Sequence, residues 1–146
     1  MYADVKNWRN VTRRTLPYDG VTAIVQGCFV TIDGASGEAV LFGADWNGRE
    51  QYGFVFKGTE QNVVQVVDAL DVVLGPSDAI IETDNCTPAV LAGNVNVPVT
   101  LHWDGAVCQL DVCTVPATDP CVGHVLAIDA GNGRVTIELD GIRFVS

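Results

Sequence analysis

The stretch VTLHWDGAVCQLDVCTVPATDPCVGHVLAIDAGNGRVTIEL, residues 99–139, decides the fold class. In its first strand Val99, Leu101 and Trp103 fall on one face, while Thr100 and His102 fall on the other, which is the period of a half-buried β-strand. Asp104-Gly105 then turns the chain into a second alternating run, AVCQLDVCTV. After a loop with Pro116 and Pro120, CVGHVLAIDA leads through Asn132-Gly133 into RVTIEL, where Val135, Ile137 and Leu139 alternate with Arg134, Thr136 and Glu138. Asp-Gly and Asn-Gly between alternating runs are strong hairpin signals, because such turns need backbone conformations that glycine adopts without steric cost.

Working outward, the same grammar recurs. CFVTID and EAVLFG flank Gly34-Ala35-Ser36-Gly37, and Asn47-Gly48 precedes the aromatic strand QYGFVF, whose glycine marks a candidate bulge. Residues 76–98 read as short strands joined by turns. Over 59–74 two readings compete. Val63, Val67, Leu70 and Leu74 recur at helical spacing before a Gly75-Pro76 stop, favouring one short helix over about 60–73, whereas VVQVV has the propensity of a strand. The expectation is an all-β domain, a compact small barrel or sandwich of about nine short strands.

The chain has 146 residues, 48% of them apolar, with 15 glycines and one methionine, which fits a single β-rich domain with its own core. Its net charge of −10 is unevenly distributed. Residues 1–18 carry Lys6, Arg9, Arg13 and Arg14 against Asp4, summing to +3; residues 19–146 carry four basic residues against 17 acidic ones, summing to −13. The division implied is an extended basic arm, 1–18, ahead of a single β domain, 19–146. Lys6, Trp8, Arg9, Arg13, Arg14 and Tyr18 are its candidate partner-binding residues. An acidic body cannot replace the counterions of a phosphate backbone, so nucleic acid is not an expected direct partner. No stretch is long and apolar enough to span a bilayer, and MYADVKNWRNVTRR lacks the apolar core of a secretory leader.

His102 lies on the face opposite Val99 and Leu101 and is expected in solvent; His124 opens a strand and reads as an edge or surface residue. Cys108, Cys113, Cys121 and His124 can be written as a zinc-like series, but Cys108 and Cys113 are an odd number of residues apart on one strand, so they face opposite sides. Cys113 and Cys121 flank a loop and are candidates for a disulfide, while the odd total of five cysteines favours reduced, buried thiols. There is no nucleophile elbow, phosphate-binding loop or dinucleotide fingerprint. Asp84-Asn85 has no calcium-binding ladder around it, and the carboxylates concentrate in turns such as Asp33-Gly34, Asp104-Gly105 and Asp140-Gly141. The expectation is therefore no catalytic residue, no metal and no cofactor. A hydrolase using scattered carboxylates remains as a lesser alternative.

The layout of residues 99–139 resembles the carboxy-terminal part of the small capsid decoration, or cement, proteins of tailed bacteriophages. The strand ending at Trp103, the following Asp-Gly turn, the segment Gly123-His124-Val125-Leu126-Ala127 and the Asn-Gly hairpin into Arg134–Leu139 carry the resemblance. It implies a viral structural protein on the capsid exterior, made in the host cytoplasm, assembling as a homo-oligomer with a trimer favoured, and binding across neighbouring major capsid protein subunits. The alternative is another virion or surface module, of tail, neck or glycan-binding type, stacking sugars on whichever of Trp8, Trp46, Tyr52 and Trp103 are exposed; strand phase puts Trp103 in the core and leaves Trp46, beside Asn47-Gly48, as the candidate for exposure.

Overall fold

The computed structural model describes residues 1–7, 11–19, 24–57, 69–114 and 120–141. Among the described residues, eleven strands in two antiparallel sheets and one short helix make an all-β, sandwich-like fold. The strands are β1 (Ala3–Asn7), β2 (Arg13–Pro17), β3 (Phe29–Ile32), β4 (Ala39–Leu41), β5 (Tyr52–Lys57), β6 (Ala69–Gly75), β7 (Ile80–Thr83), β8 (Pro98–Trp103), β9 (Cys108–Val112), β10 (Gly123–Asp129) and β11 (Arg134–Glu138); helix α1 is Pro88–Leu91. The larger sheet runs β1-β7-β11-β10-β8-β9, and the smaller runs β2-β6-β5-β3-β4.

The hairpins read from sequence are present. Trp103 faces Cys108 across the Asp104-Gly105 turn, Asp129 faces Arg134 across Asn132-Gly133, and Ile32 faces Ala39 across residues 33–38. Gly133 sits at φ +66°, in the left-handed region where a side chain is disfavoured. Each turn is also tied by an aspartate that accepts local donors. Asp104 Oδ1 takes the N–H groups of Ala106 and Val107 at 2.8 and 2.9 Å, Asp129 Oδ2 takes Asn132 Nδ2 at 2.8 Å, and Asp33 Oδ2 takes the Ser36 hydroxyl at 2.7 Å.

Three sequence expectations are corrected. Residues 69–75 are strand β6, not the end of a helix, while 58–68 lie outside the described residues. The helical spacing misled because β5 and β6 bury both faces. Val72 and Val73 are both fully buried, as are Phe54 and Val55, so no period of two survives in the sequence. Within β5 the irregularity falls between Val55 and Lys57 rather than at Gly53. Gly53 is regularly paired, and a Cβ there would stand 3.2 Å from Val72 Cβ. In the stretch read as short strands, Pro88–Leu91 is instead a single helical turn, begun by a proline that needs no hydrogen-bond donor there.

The first eighteen residues are also corrected. The expectation of an arm outside the domain gives way to two paired strands: β1 pairs with β7 and β2 pairs with β6, each at one edge of its sheet. Each strand inserts a single buried side chain, Val5 and Leu16, which is too little periodicity to register as a strand in sequence.

Between the sheets lies the main core, with Phe29, Tyr52 and Phe54 from the smaller sheet meeting Ile81, Leu101, Leu110 and Ile137 of the larger. Phe29 packs on Phe54 at 5.3 Å, and the Trp46 ring meets Tyr52 edge-on at 5.1 Å. The second face of the smaller sheet buries Leu16, Ile24, Cys28, Val30, Leu70 and Val72. One of the two sheets curls into a half-barrel. Residues 85–87, which follow β7 directly, run along the far strand β9: Leu110 N–H donates to Asn85 O at 3.0 Å and Thr87 N–H to Leu110 O at 2.9 Å. The chain leaving β7, one strand in from β1, thus reaches the opposite edge strand β9 through this short parallel segment.

Asn85 holds that junction. Its side-chain amide, in a residue 5% exposed, donates to Gly27 O and to Cys108 O, each at 2.9 Å, and its own N–H donates to Thr83 Oγ1 at 3.1 Å. Thr83 Oγ1 in turn donates to Tyr2 O at 2.8 Å. Replacing Asn85 by Leu removes both amide donors and strands two buried carbonyls, so Asn85→Leu is expected to lower unfolding free energy by about 2–4 kcal/mol. Urea denaturation measures it, and a loss below about 1 kcal/mol would show that the amide does not hold the junction.

The turn aspartates give a pH prediction. The Ser36 hydroxyl beside Asp33, the Val107 and Ala106 N–H groups at Asp104, and the Asn132 side chain at Asp129 hold these carboxyls below the usual value of 3.8. A carboxyl more acidic in the folded chain stabilises the fold above its unfolded pKa, and that contribution disappears as pH falls through the folded value. Thermal stability is therefore expected to fall below about pH 4. The Asp33→Ala, Asp104→Ala, Asp129→Ala variant, less stable at neutral pH, should show a shallower acid decline in a melting series from pH 7 to pH 2.

Candidate functional site

Of the candidate partner-binding residues, Lys6 lies on β1 and Arg13 and Arg14 lie on β2, the outermost strands of the two sheets. On β1, Lys6 Nζ lies 2.9 Å from Asp4 Oδ2 and 3.6 Å from Glu82 Oε1, and the hydrogen bond and charge of Asp4 raise its pKa. On β2, Arg13 Nη2 lies 3.7 Å from Asp71 Oδ2, with its guanidinium 5.3 Å from the centre of the Phe56 ring. Arg14 is exposed, and Tyr18 is half-buried against the second core cluster. Trp8 and Arg9 lie outside the described residues. The charge asymmetry of the sequence is thus partly spent within the molecule, as Asp71 and Glu82 of the body face cations of the first eighteen residues. Sequence reasoning missed Tyr2, whose hydroxyl donates to Glu82 at 2.9 Å and whose ring lies 3.7 Å beneath the Arg134 guanidinium. No spacing in the sequence signals a contact between residues 132 positions apart.

His102 is half-exposed on β8, with Nδ1 3.0 Å from Asp45 Oδ1, on the outward face its strand phase indicates. The reading of His124 as an edge or surface residue is corrected. Its side chain is 14% exposed and lies between two carboxylates, with Nδ1 2.7 Å from Asp140 Oδ2 and Nε2 3.7 Å from Glu138 Oε2. The placement follows from strand geometry. His124 is the register partner of Glu138, and Glu138 and Asp140, two apart, project from the face opposite Ile137 and Leu139. Gly123 allows the approach, because a Cβ there would fall within the Glu138 backbone carbonyl.

These three side chains bring one donor atom each within 4.8 Å of the others. A metal uses one imidazole nitrogen and leaves the second to an orienting partner. With Nδ1 engaged by Asp140, a metal at Nε2 would find Glu138 as its remaining protein ligand in this group, fewer than the three or four of a protein zinc site. The arrangement instead places the imidazole between two carboxylates, where it fastens the end of the β10–β11 hairpin.

Burial governs the thiols. It pushes the Cys108 thiol up to about 12, aided by Asp45, Asp104 and Glu50, and the Cys86 thiol up to about 11, so both stay protonated at neutral pH and are poor nucleophiles. Trp46 and Tyr52 are buried too: Trp46 Nε1 donates to Glu50 O at 2.8 Å, and Tyr52 donates to Val122 O at 3.2 Å. The expected exposure of Trp46 is corrected, and neither ring offers a flat stacking surface to a sugar. Trp103 is half-buried against the core. The cleft that contains His102, Asp45 and Asp111 has a volume of about 310 Å³, and Asp111 Oδ1 there already accepts the Thr87 hydroxyl at 2.8 Å.

The Asp140→Asn substitution tests the cluster. Losing the carboxylate from a contact between side chains only 11% and 14% exposed should cost about 1–3 kcal/mol by urea denaturation. An unchanged midpoint would mean that the pair does not fasten the hairpin. No family model, no curated protein and no solved structure matches the chain.

Proposed function

We propose that the chain is a viral structural protein that decorates a capsid and stabilises it by binding across neighbouring major capsid subunits. One observation carries the reading: β1 and β2 end the two sheets, and among the described residues no strand pairs with their outer sides. An outer strand presents main-chain donors and acceptors that a neighbouring chain can continue as an added strand. Arg14 and the partly compensated Lys6 and Arg13 supply positive charge along those edges, suited to an acidic surface. The rest of the molecule supports an interface rather than a reaction. The thiols of Cys86 and Cys108 are held protonated, His124 is enclosed by carboxylates, and Phe29, Trp46, Tyr52 and Phe54 are in the core. A homo-oligomer, with a trimer favoured, belongs to the same proposal, since many copies on a lattice turn modest contacts into durable attachment.

The experiment is to co-express the chain with the major capsid protein encoded nearest to it and heat the purified particles. Decorated particles are expected to release DNA at higher temperature than bare ones, and equal release temperatures would end the stabilising role. The Arg13→Glu, Arg14→Glu variant, its changes confined to exposed side chains of β2, should co-sediment with the shells about tenfold less tightly and lose most of the salt dependence of binding. Undiminished co-sedimentation would remove β2 from the interface.

A further inference from the structure

We propose that Cys113 and Cys121 are a redox pair that closes to an intramolecular disulfide when the protein meets a peroxide. Their sulfur atoms lie 3.3 Å apart, and the residues are 4% and 3% exposed. Cys113 stands immediately after β9 and Cys121 two residues before β10, and these strands flank β8 on its two sides. The backbone around each sulfur is anchored to β8: Cys113 N–H donates to Pro98 O at 3.0 Å, and the N–H of Val122, beside Cys121, donates to Val99 O at 2.9 Å. Both cysteines therefore start from fixed points on one strand, and a disulfide requires the sulfurs to close from 3.3 Å to about 2.05 Å, within reach of side-chain rotation.

The remaining cysteines are committed elsewhere. Cys108 Sγ donates to Ala44 O at 3.4 Å, Cys28 belongs to the core cluster on the second face of the smaller sheet, and Cys86 lies in the segment along β9. The pairing is thus selective, which the odd cysteine count of the sequence concealed.

Near-complete burial favours an oxidant of water's size over a bulky disulfide. In the first step the sulfur of one cysteine, as thiolate, attacks hydrogen peroxide. The O–O bond breaks, one oxygen stays on sulfur as a sulfenic acid, and the other leaves as hydroxide, which takes up the thiol proton to become water. In the second step the neighbouring thiolate attacks the sulfenic sulfur, the S–O bond breaks, and the hydroxide released takes up the second thiol proton as a second water. Two thiols are oxidised by two electrons, and one peroxide is reduced to two waters. The product joins β9 to β10 across residues 114–120, and so restrains the unfolded chain and fixes the flanks of β8.

The full chain is purified in reductant, desalted and divided, with one portion treated with hydrogen peroxide. The treated portion should be lighter by two hydrogens, yield one cross-linked peptide joining Cys113 to Cys121, and melt about 5–10 °C higher, all reversed by dithiothreitol. Cys113→Ser and Cys121→Ser should each abolish the cross-link and the rise in melting temperature. The proposal is overturned if peroxide leaves both thiols free, adds oxygen to them without a cross-link, or joins either to another cysteine. Because the peptide map is read on the unaltered chain, a serine variant that failed to fold would not obscure the result.

Discussion

The junction at Asn85 is the constraint on which the two-sheet arrangement rests. A buried primary amide has to satisfy both of its hydrogens, and here they go to carbonyls from different parts of the fold, Gly27 ahead of β3 and Cys108 at the start of β9. The first belongs to the approach to the smaller sheet and the second to the larger. Through Thr83 the same network reaches the backbone of Tyr2, so the start of β1, its neighbour β7 and the far edge strand β9 share one set of hydrogen bonds. Apolar packing between the sheets supplies most of the driving force, but it is tolerant of sliding; paired amide and carbonyl groups are directional and select one registration. An apolar side chain of similar size could fill the space without selecting it.

The sequence was most legible where one face of a strand meets the core and the other meets solvent. β8 and β11 alternate cleanly, and glycine-containing turns mark their ends, so their hairpins could be read without coordinates. β6 was hidden for a physical reason: with Leu70, Val72, Val73 and Leu74 all buried, its apolar positions fit a helix as well as a strand. β1 and β2 were hidden for the opposite reason, since one inward side chain each leaves a pattern that reads as a solvated terminus. Asn85 was noticed only beside Asp84, as a weak calcium signal, because nothing local announces that a side-chain amide will be buried between distant carbonyls.

The candidate sites divide in the same way. The outward direction of His102 follows from its own strand phase. The enclosure of His124 requires knowing that it pairs with Glu138, a fact of register, although the spacing of Glu138 and Asp140 on one face was available. The basic character of residues 1–18 was plain in the composition; that Asp71 and Glu82 would face Arg13 and Lys6 was not, because both contacts depend on which strands become neighbours. Charge complementarity of that kind first serves the fold, and what remains at Arg14 and along the outer backbone is available to a partner.

Strand pairing in this chain also sets a schedule for synthesis. Ala3 on β1 waits for Thr83 on β7, and β7 receives its other neighbour only when Val135 on β11 has been made. At about 5–20 residues per second, the first strand spends roughly 4–16 seconds outside the ribosome before its partner exists. β2 waits similarly for β6, whereas β3 and β4 meet almost at once. The amino-terminal segment thus behaves as a tether during translation and becomes part of a sheet only afterwards. Its charged, sparsely apolar composition suits that interval, because a more hydrophobic strand left waiting would recruit other nascent chains.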